Sequence, residues 1–273
     1  MSQKIKAPND KNRSFLWGIV ALIVICAVVI AVMVINGRNS NNEDLTAADV
    51  SFSVSLEDGA VQLRGEDAAD DAVSAELFED YACSYCAQLA EADSESIQDA
   101  VENGEMNVDL RTVSFVDQGG ASTRGGAVAL AIADTGDAGA FWAFHKKGFG
   151  DQTTVARTWE WDDYADAAEQ LGMDAELVDS IRDGSVEETY GSMLEANGEN
   201  LNERMPEGAA TPALFVEGNQ VELQQGEDGG LRDWVPDVLA ARADAADSDA
   251  DATEGADATE DTDADDADAD SEE

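Results

Sequence analysis

Two cysteines separated by two residues, Cys83-Ser84-Tyr85-Cys86, constrain this chain more than any other feature. The alternating apolar residues of 73–78 predict a β-strand before the pair, and residues 84–103 predict a helix after it. Cys83 is therefore expected at a helix N-terminus, where unpaired backbone N–H groups and the helix dipole favour a thiolate. Cys86 follows one turn later on the apolar face of the helix, so we expect its side chain to be partly buried.

An uncharged apolar run of 21 residues, 15–35, lies close to the start of the sequence. As a helix it would span roughly 30 Å, which is the thickness of a bilayer core. Basic residues precede the run and acidic residues follow it, so the sequence predicts a basic cytoplasmic segment over 1–13 and a single-pass membrane anchor over 14–36. The rest of the chain would then be extracytoplasmic. A cleaved signal peptide is the alternative, although its apolar core would normally be shorter and a small-residue cleavage site would follow it.

The net charge of −45, from 60 acidic and 15 basic residues, argues against a nucleic-acid partner, because phosphates would be repelled. Fifteen of the acidic residues fall in 243–273, where there is no Lys or Arg. This composition predicts a disordered, solvated tail. Cation buffering or contact with a basic partner is the alternative function of the tail.

Residues 50–242, between a polar linker at 37–49 and the tail, are enough for one domain with its own core. The predicted strands are 51–56 and 60–64 as a hairpin, then 73–78 and 106–116, then 212–216 and 220–223 as a second hairpin with a Gly218-Asn219 turn. The predicted helices are 84–103, five between about 121 and 204, and a last one over 231–241. This order is typical of an α/β thioredoxin-like fold with an inserted helical domain.

Three segments of this domain resemble, in the right order, the DsbA-like thiol–disulfide oxidoreductases, in a membrane-anchored bacterial form. Residues 78–86 resemble the active-site strand and loop, residues 139–145 a part of the inserted helical domain, and residues 210–216 the Thr–cis-Pro loop with its following strand. The resemblance covers about residues 50–242.

The resemblance implies a role for each residue of the site. Cys83 would be the exposed nucleophile, and Cys86 would resolve the mixed disulfide by attacking the Cys83 sulfur. Pro212 would be cis and would lie beside the cysteine pair. The backbone of Thr211 would pair with an extended substrate strand, a sequence-tolerant mode of binding that suits many substrates.

The sequence also departs from the family pattern. Members often carry Pro after the first cysteine and some carry His before the second, whereas Ser84 and Tyr85 stand here. These two residues tune the thiolate, so the redox strength stays open. Leu77 occupies the place, six residues before Cys83, where several thioredoxin-fold enzymes have a buried acid. Glu79 is the candidate proton carrier instead, and a solvated acid at the strand end is the alternative.

Other functions of the two cysteines are less favoured by the sequence. A structural zinc site needs four ligands, and the predicted exported part has no third cysteine and a single histidine, so we predict no metal except at a site shared between two chains. A static disulfide that closes so short a loop would stabilise the fold little. His145 lies in an aromatic segment, 141–144, and is expected to pack or to form a hydrogen bond rather than to catalyse.

We therefore predict a protein thiol–disulfide oxidoreductase without a cofactor, anchored in the cell membrane, that passes its Cys83–Cys86 disulfide to exported cysteine-containing proteins. A membrane redox partner would reoxidise it. If the pair is kept reduced, the protein would act as a reductase or isomerase. The second hypothesis, motivated by Ser84-Tyr85 and the acidic tail, is a thioredoxin-fold binding or scaffold module with little redox turnover.

Overall fold

The computed structural model describes residues 19–20, 22–24, 45–69, 71–117, 120–226 and 229–245. The chain divides into two compact units, Met1–Thr46 and Ala47–Glu273, and the description below concerns the second unit. Within the predicted anchor, residues 19–20 and 22–24 are helical, and no helix in the described ranges is long and apolar enough to span a bilayer. The remainder of the predicted anchor, most of the predicted linker and the predicted tail beyond residue 245 lie outside the described residues.

One mixed β-sheet forms the centre of the second unit. Its strands within the described ranges are β1 (Phe52–Glu57), β2 (Ala60–Gly65), β3 (Val73–Glu79), β4 (Met106–Thr112), β5 (Ala213–Val216) and β6 (Asn219–Val221). They lie in the order β1-β2-β4-β3-β5-β6. Strands β3 and β4 are parallel, and the other neighbouring strands are antiparallel. The first predicted hairpin, β1-β2, is confirmed.

Helices connect these strands. They are α1 (Ser84–Glu102), α2 (Ala121–Asp134), α3 (Ala138–Gly150), α4 (Gln152–Thr158), α5 (Trp161–Gln170), α6 (Ala175–Arg182), α7 (Ser185–Arg204) and α8 (235–245). Because α1 links the parallel strands β3 and β4, the cysteines lie at the first turn of a β-α-β crossover. Helices α2 to α7 follow β4 and precede β5, which is the order that the sequence predicts.

The helical block contains one helix more than the sequence predicts. Helix α4 was not expected, because its Thr, Thr and Val residues are β-branched and have low helix propensity. It forms because Val155 and Gln152 are buried against neighbouring elements, so tertiary packing overrides the local preference. The last helix begins at residue 235 rather than 231, with Pro236 in its first turn, where the missing N–H costs nothing.

Strand β4 ends at Thr112, four residues earlier than predicted. Its last partner is Glu79, the final residue of β3, after which β3 leaves the sheet for the cysteine loop. Without a partner strand the following residues turn away, and Phe115 and Val116 are partly exposed instead of continuing the strand. The alternating pattern beyond Thr112 is therefore not a strand.

The turn of the second hairpin is Glu217-Gly218 and not Gly218-Asn219, because Val216 pairs with Asn219. Both turn residues have positive φ, 49° at Glu217 and 75° at Gly218. A two-residue turn of this kind matches the twist of the flanking strands. The prediction is wrong by one residue.

The core lies between the sheet and the helices and fixes the end of β3. Leu77 is buried between Leu110 of β4 and Leu214 of β5. Burying one such leucine contributes about 2 kcal/mol. On the helical side, Trp142 of α3 is fully buried and meets the ring of Phe52 edge to face at 5.8 Å. Helix α3 is thereby packed against β1, and the end of β3, where the cysteine loop begins, is paired on both sides by β4 and β5.

Candidate active site

Cys83 is the N-cap residue of α1, with an extended backbone at φ −84° and ψ 119°. Its N–H donates to the Asp80 carbonyl at 2.9 Å, and its carbonyl accepts from the Ala87 N–H at 3.2 Å. Its Sγ lies 3.4 Å from the carbonyl oxygen of Thr211. Cys83 is 8% exposed and therefore buried in the reduced protein, not exposed as expected, and Cys86 is fully buried rather than partly buried. Both cysteines are free thiols.

The pKa of Cys83 is lowered from 9.0 to about 6. The largest cause is the hydrogen bond that the Cys86 thiol donates to the Cys83 sulfur, which stabilises the thiolate. Partial burial acts in the opposite direction, and the N–H groups of Cys86 and Tyr85, with the Thr211 side chain, lower the pKa further. At neutral pH Cys83 is therefore mainly a thiolate, the reactive form of cysteine.

Burial raises the pKa of Cys86 well above 9.0. The hydrogen bond from the Cys86 thiol to the Cys83 sulfur and the nearby charge of Glu79 raise this pKa further. The Asp80 backbone N–H, 3.4 Å from the Cys86 sulfur, opposes this effect. The two thiols thus have opposite tendencies, because Cys83 is ready to attack as a thiolate while Cys86 keeps its proton. A pair divided in this way suits one nucleophilic thiol and one resolving thiol.

The Thr211-Pro212 peptide bond is cis, as the resemblance to DsbA-like proteins implies. The loop comes directly before β5, whose first residue, Ala213, pairs with Phe78 of β3. Since β5 runs antiparallel to β3, the start of β5 lies at the end of β3 from which the cysteine loop leaves. Cys83 and Thr211, which are far apart in the sequence, therefore meet at the same end of the neighbouring strands β3 and β5.

The two residues between the cysteines are both exposed, but only Tyr85 affects the pKa of Cys83. Ser84 is exposed and opens the first turn of α1. Tyr85 is 55% exposed, and it acts on the Cys83 sulfur through its backbone N–H.

Glu79 is not a solvated acid at the strand end. It is 3% exposed, and its Oε2 lies 3.1 Å from Nε2 of His145, which is itself buried. The His145 ring stacks on Trp142 at 5.0 Å and meets Phe149 edge to face at 5.0 Å. The expectation that His145 packs and forms a hydrogen bond is confirmed, and its partner is Glu79.

Asp80 is a residue of the site that the sequence reasoning missed. Its carboxylate is fully buried and accepts hydrogen bonds from Ala82 N at 2.8 Å, Ser122 Oγ at 2.6 Å and Val116 N at 2.8 Å. It thus joins the cysteine loop to α2 and to the loop after β4. The signal was an Asp three residues before Cys83, since an Asp that bonds the N–H two residues later forms an Asx turn.

Tyr81 fills the space between the cysteine loop and the helical block. Its ring stacks on Phe149 at 4.5 Å. Gly125 of α2 and Gly148 of α3 lie so close to it that an added Cβ would meet Tyr81 atoms at 2.8 and 2.7 Å. Because these two residues lack a side chain, α2 and α3 can approach the cysteine loop closely and pack against Tyr81.

Within the described ranges, no group of three or more His, Cys, Asp or Glu side chains is placed to hold a metal ion. A low-pKa thiol at a helix N-terminus, a buried thiol one turn later and a cis-proline loop beside them instead define a dithiol–disulfide exchange site on a thioredoxin-like sheet. A family model described as thioredoxin matches residues 58–234, more than half of the chain, and the chain belongs to this family.

Solved structures place the chain among the DsbA-like members. MdbA of Corynebacterium diphtheriae, a thiol–disulfide oxidoreductase, is 32% identical with a TM-score of 0.61, and the match covers 67% of this chain and 92% of that one. MdbA of Corynebacterium matruchotii is 28% identical with a TM-score of 0.60, over 68% and 91%. The reduced DsbG of Mycobacterium tuberculosis, 20% identical with a TM-score of 0.51 over 62% and 84%, shares the fold.

A comparison with curated proteins finds no match. The family match and the structural neighbours confirm the predicted DsbA-like thioredoxin fold, and with it the prediction that the protein is a thiol–disulfide oxidoreductase.

Proposed function

We propose that this protein is a membrane-tethered, extracytoplasmic disulfide oxidase in which Cys83 is the nucleophile and Cys86 the resolving thiol. The observation that carries the proposal is the position of Cys83 at the N-terminus of α1, beside Thr211 and Cys86, where hydrogen bonds to its sulfur lower its pKa to about 6. A stabilised thiolate stabilises the dithiol form of the enzyme, so its disulfide form becomes a stronger oxidant. This favours donation of disulfides over their reduction.

The reaction exchanges one disulfide for another. A substrate thiolate attacks Sγ of Cys83 in the oxidised enzyme, the Cys83–Cys86 bond breaks, and Cys86 leaves as a thiolate that is then protonated. A second substrate thiolate attacks the substrate sulfur of the mixed disulfide and displaces Cys83. Cys83 is a good leaving group because its thiolate is stabilised. Of the two cysteines, Cys83 is the more exposed, which favours a first attack at its sulfur.

The loop at Thr211-Pro212 supports the binding of an extended peptide. The Thr211 carbonyl lies 3.4 Å from the Cys83 sulfur, so a chain that pairs with the backbone of Thr211 brings its own sulfur to Cys83. Pairing through backbone hydrogen bonds does not depend on the side chains of the substrate. It therefore suits many exported cysteine-containing proteins as substrates.

The location and the recycling step rest on the sequence. The apolar run at 15–35, with its basic flank, supports a membrane anchor and export of the catalytic domain. Each turnover leaves the enzyme with two thiols, so an acceptor of two electrons must remove them. A membrane redox partner is the proposed acceptor because the anchor would hold the enzyme beside it.

The test is oxidation of reduced, unfolded ribonuclease by the oxidised full-length protein, together with the equilibrium potential against glutathione. We expect the wild type to restore ribonuclease activity and Cys83→Ser to abolish this. Cys86→Ser has no disulfide to donate, so we expect it to oxidise no ribonuclease thiols and to accumulate mixed disulfides on Cys83 only when oxidised glutathione is added as the oxidant. A potential near that of thioredoxin, about −270 mV, would contradict the oxidase direction. Equal binding of unfolded chains by wild type and Cys83→Ser, without thiol oxidation, would instead favour the binding module.

A further inference from the structure

The strongest unexplained feature of the molecule is a buried acid–base pair beneath the cysteines. Glu79 ends β3 and His145 lies in α3, so one partner comes from the sheet and the other from the helical block. Their closest atoms, Oε2 and Nε2, are 3.1 Å apart, and both side chains are almost fully buried. A buried pair of titratable groups is costly unless it is well paired, and such pairs concentrate at functional sites.

This pair lies next to the resolving thiol. The backbone N–H of Asp80, the residue directly after Glu79, is 3.4 Å from the Cys86 sulfur. The Glu79–Asp80 peptide therefore packs against Cys86, and the Glu79 side chain starts from this peptide. The charge of Glu79 reaches the sulfur, since it is one of the causes that raise the pKa of Cys86.

Cys86 needs a proton acceptor nearby, because its side chain is fully buried and its S–H group donates a hydrogen bond to Cys83. It must lose its proton to attack a mixed disulfide on Cys83, and burial keeps that proton away from bulk water. The other acids nearby are poorly suited. Asp80 already accepts three hydrogen bonds, the Tyr81 phenol has its pKa raised by burial, and Asp93 lies two turns along α1 and accepts from Trp234 at 2.7 Å.

His145 fixes the orientation of the carboxylate. Its Nδ1 is buried without a hydrogen-bond partner, whereas Nε2 faces Glu79. A neutral imidazole carries one N–H, and placing it on Nε2 satisfies the donor with the carboxylate and leaves the Nδ1 lone pair among aromatic rings. The His145 N–H can hold one carboxylate oxygen while the other oxygen takes up a proton.

We propose that Glu79 is the proton acceptor for Cys86 and that His145 is the positioning residue that holds it, an inference that rests on the proposed function. With a mixed disulfide on Cys83, the Cys86 S–H proton moves to the Glu79 carboxylate. The Cys86 thiolate then attacks the Cys83 sulfur, the bond from Cys83 to the substrate sulfur breaks, and the substrate leaves as a thiolate. In the oxidising direction, protonated Glu79 returns its proton to Cys86 as that thiolate leaves.

The test separates the two attacks with dithiobis-nitrobenzoate and the reduced full-length protein. Cys83 attacks the reagent and releases one thionitrobenzoate, and Cys86 then attacks Cys83 and releases the second. In Glu79→Gln, we expect the first release at the wild-type rate and the second about 100-fold slower at neutral pH, which is the low end of general base catalysis. An unchanged first release also shows that the variant has folded around Cys83.

The positioning role has its own readout. In His145→Leu, we expect the second release about tenfold slower, as for the loss of one hydrogen bond to a charged group. His145→Gln keeps a donor and should restore most of the rate.

Asp93→Asn is the matched control, because Asp93 is also a buried acid and belongs to α1, but it accepts a hydrogen bond from Trp234. We expect it to leave both releases within about twofold of the wild type. A Glu79→Gln variant with an unchanged second release, or an equal loss in Asp93→Asn, would overturn the proposal. Absence of the second release from the wild type would instead count against the proposed function itself.

Discussion

The chemistry of this protein is decided by the difference between two neighbouring sulfurs. Cys83 and Cys86 lie one turn apart at the start of the same helix, yet hydrogen bonds lower the pKa of Cys83, whereas burial raises the pKa of Cys86. The largest stabilising contact of the Cys83 thiolate is the Cys86 thiol. Each cysteine thus sets the protonation state of the other.

The alkylation of Cys83 should therefore depend on Cys86. We expect the rate of Cys83 with iodoacetamide to rise with pH around a midpoint near 6 in the reduced wild type. The midpoint should move upward in Cys86→Ala, which removes the donor, and less in Cys86→Ser, whose hydroxyl can still donate. Mass spectrometry of the alkylated protein over a pH series gives the midpoints. A wild-type midpoint near that of free cysteine, about 8.5, would contradict the argument.

The sequence identifies the cysteine pair at this scale, because C-x-x-C is a local pattern, and the resemblance to DsbA-like proteins adds Thr211 and Pro212. It did not identify Asp80, and it left Glu79 open between a proton carrier and a solvated acid. Both side chains lie among partners from α2, α3 and the loop after β4, far away in the sequence. A local pattern carries no information about such partners.

At the scale of elements, the cysteine loop is held by helices that approach it through glycine. Tyr81 connects the loop to α3, because its ring stacks on Phe149 and contacts Gly148. Any side chain at Gly148 would displace this ring. The position of the loop thus depends on a close approach between elements.

Gly148→Ala should destabilise the fold by about 1–3 kcal/mol, as overpacking does, since its Cβ would lie 2.7 Å from the Tyr81 ring. Gly150→Ala, two residues later in α3, is the matched control, because an added Cβ there meets nothing within 4 Å. The control should be neutral or slightly stabilising. Urea unfolding of both variants measures the difference. Equal stability of the two would show that the Tyr81 contact is unimportant.

Helix α1 is also tied to the segment before α8. Trp234 Nε1 donates to Oδ2 of Asp93 at 2.7 Å, and Ser96 Oγ donates to Asp233 at 2.5 Å. Burial raises the pKa of Asp93 well above 3.8, and the Glu79 charge adds to this effect. The ionised form of Asp93 is therefore disfavoured in the folded state.

This raised pKa predicts a pH-dependent effect of Asp93→Asn. A carboxyl whose pKa is higher in the folded state destabilises the fold increasingly as pH rises above its unfolded value. Asn is neutral at every pH and can still accept from Trp234. The stability of the variant relative to the wild type should therefore increase from about pH 4 to about pH 8. Urea midpoints over this range test it, and a difference independent of pH would contradict the raised pKa.

At the scale of the whole molecule, the dominant property is charge. The chain carries −45, and 15 of its acidic residues fall in the predicted tail. Like charges at this density repel one another in the compact state more than in the unfolded chain. Salt screens this repulsion over about 10 Å at 0.1 M.

We expect the melting temperature to rise with sodium chloride from low ionic strength. An increase of about 1 kcal/mol in the free energy of unfolding raises the melting temperature by about 2–4 °C for a domain of this size. Calorimetry of the full chain and of a chain ending at residue 245 would measure the effect and separate the tail from the folded unit. A melting temperature that falls with salt would show that ion pairs outweigh the repulsion.

The sequence by itself determined the order of the elements and the cysteine pair at the helix start, because each depends on short-range periodicity or on a few adjacent residues. The cis-proline loop was implied by the resemblance to a known family. Only the tertiary structure decided the end of β4, the existence of α4 and the burial of Glu79 against His145. These depend on where a partner strand leaves the sheet and on which distant side chains fill the core. The cysteine pair is a local motif, but the two different thiols that make it reactive are a product of the fold.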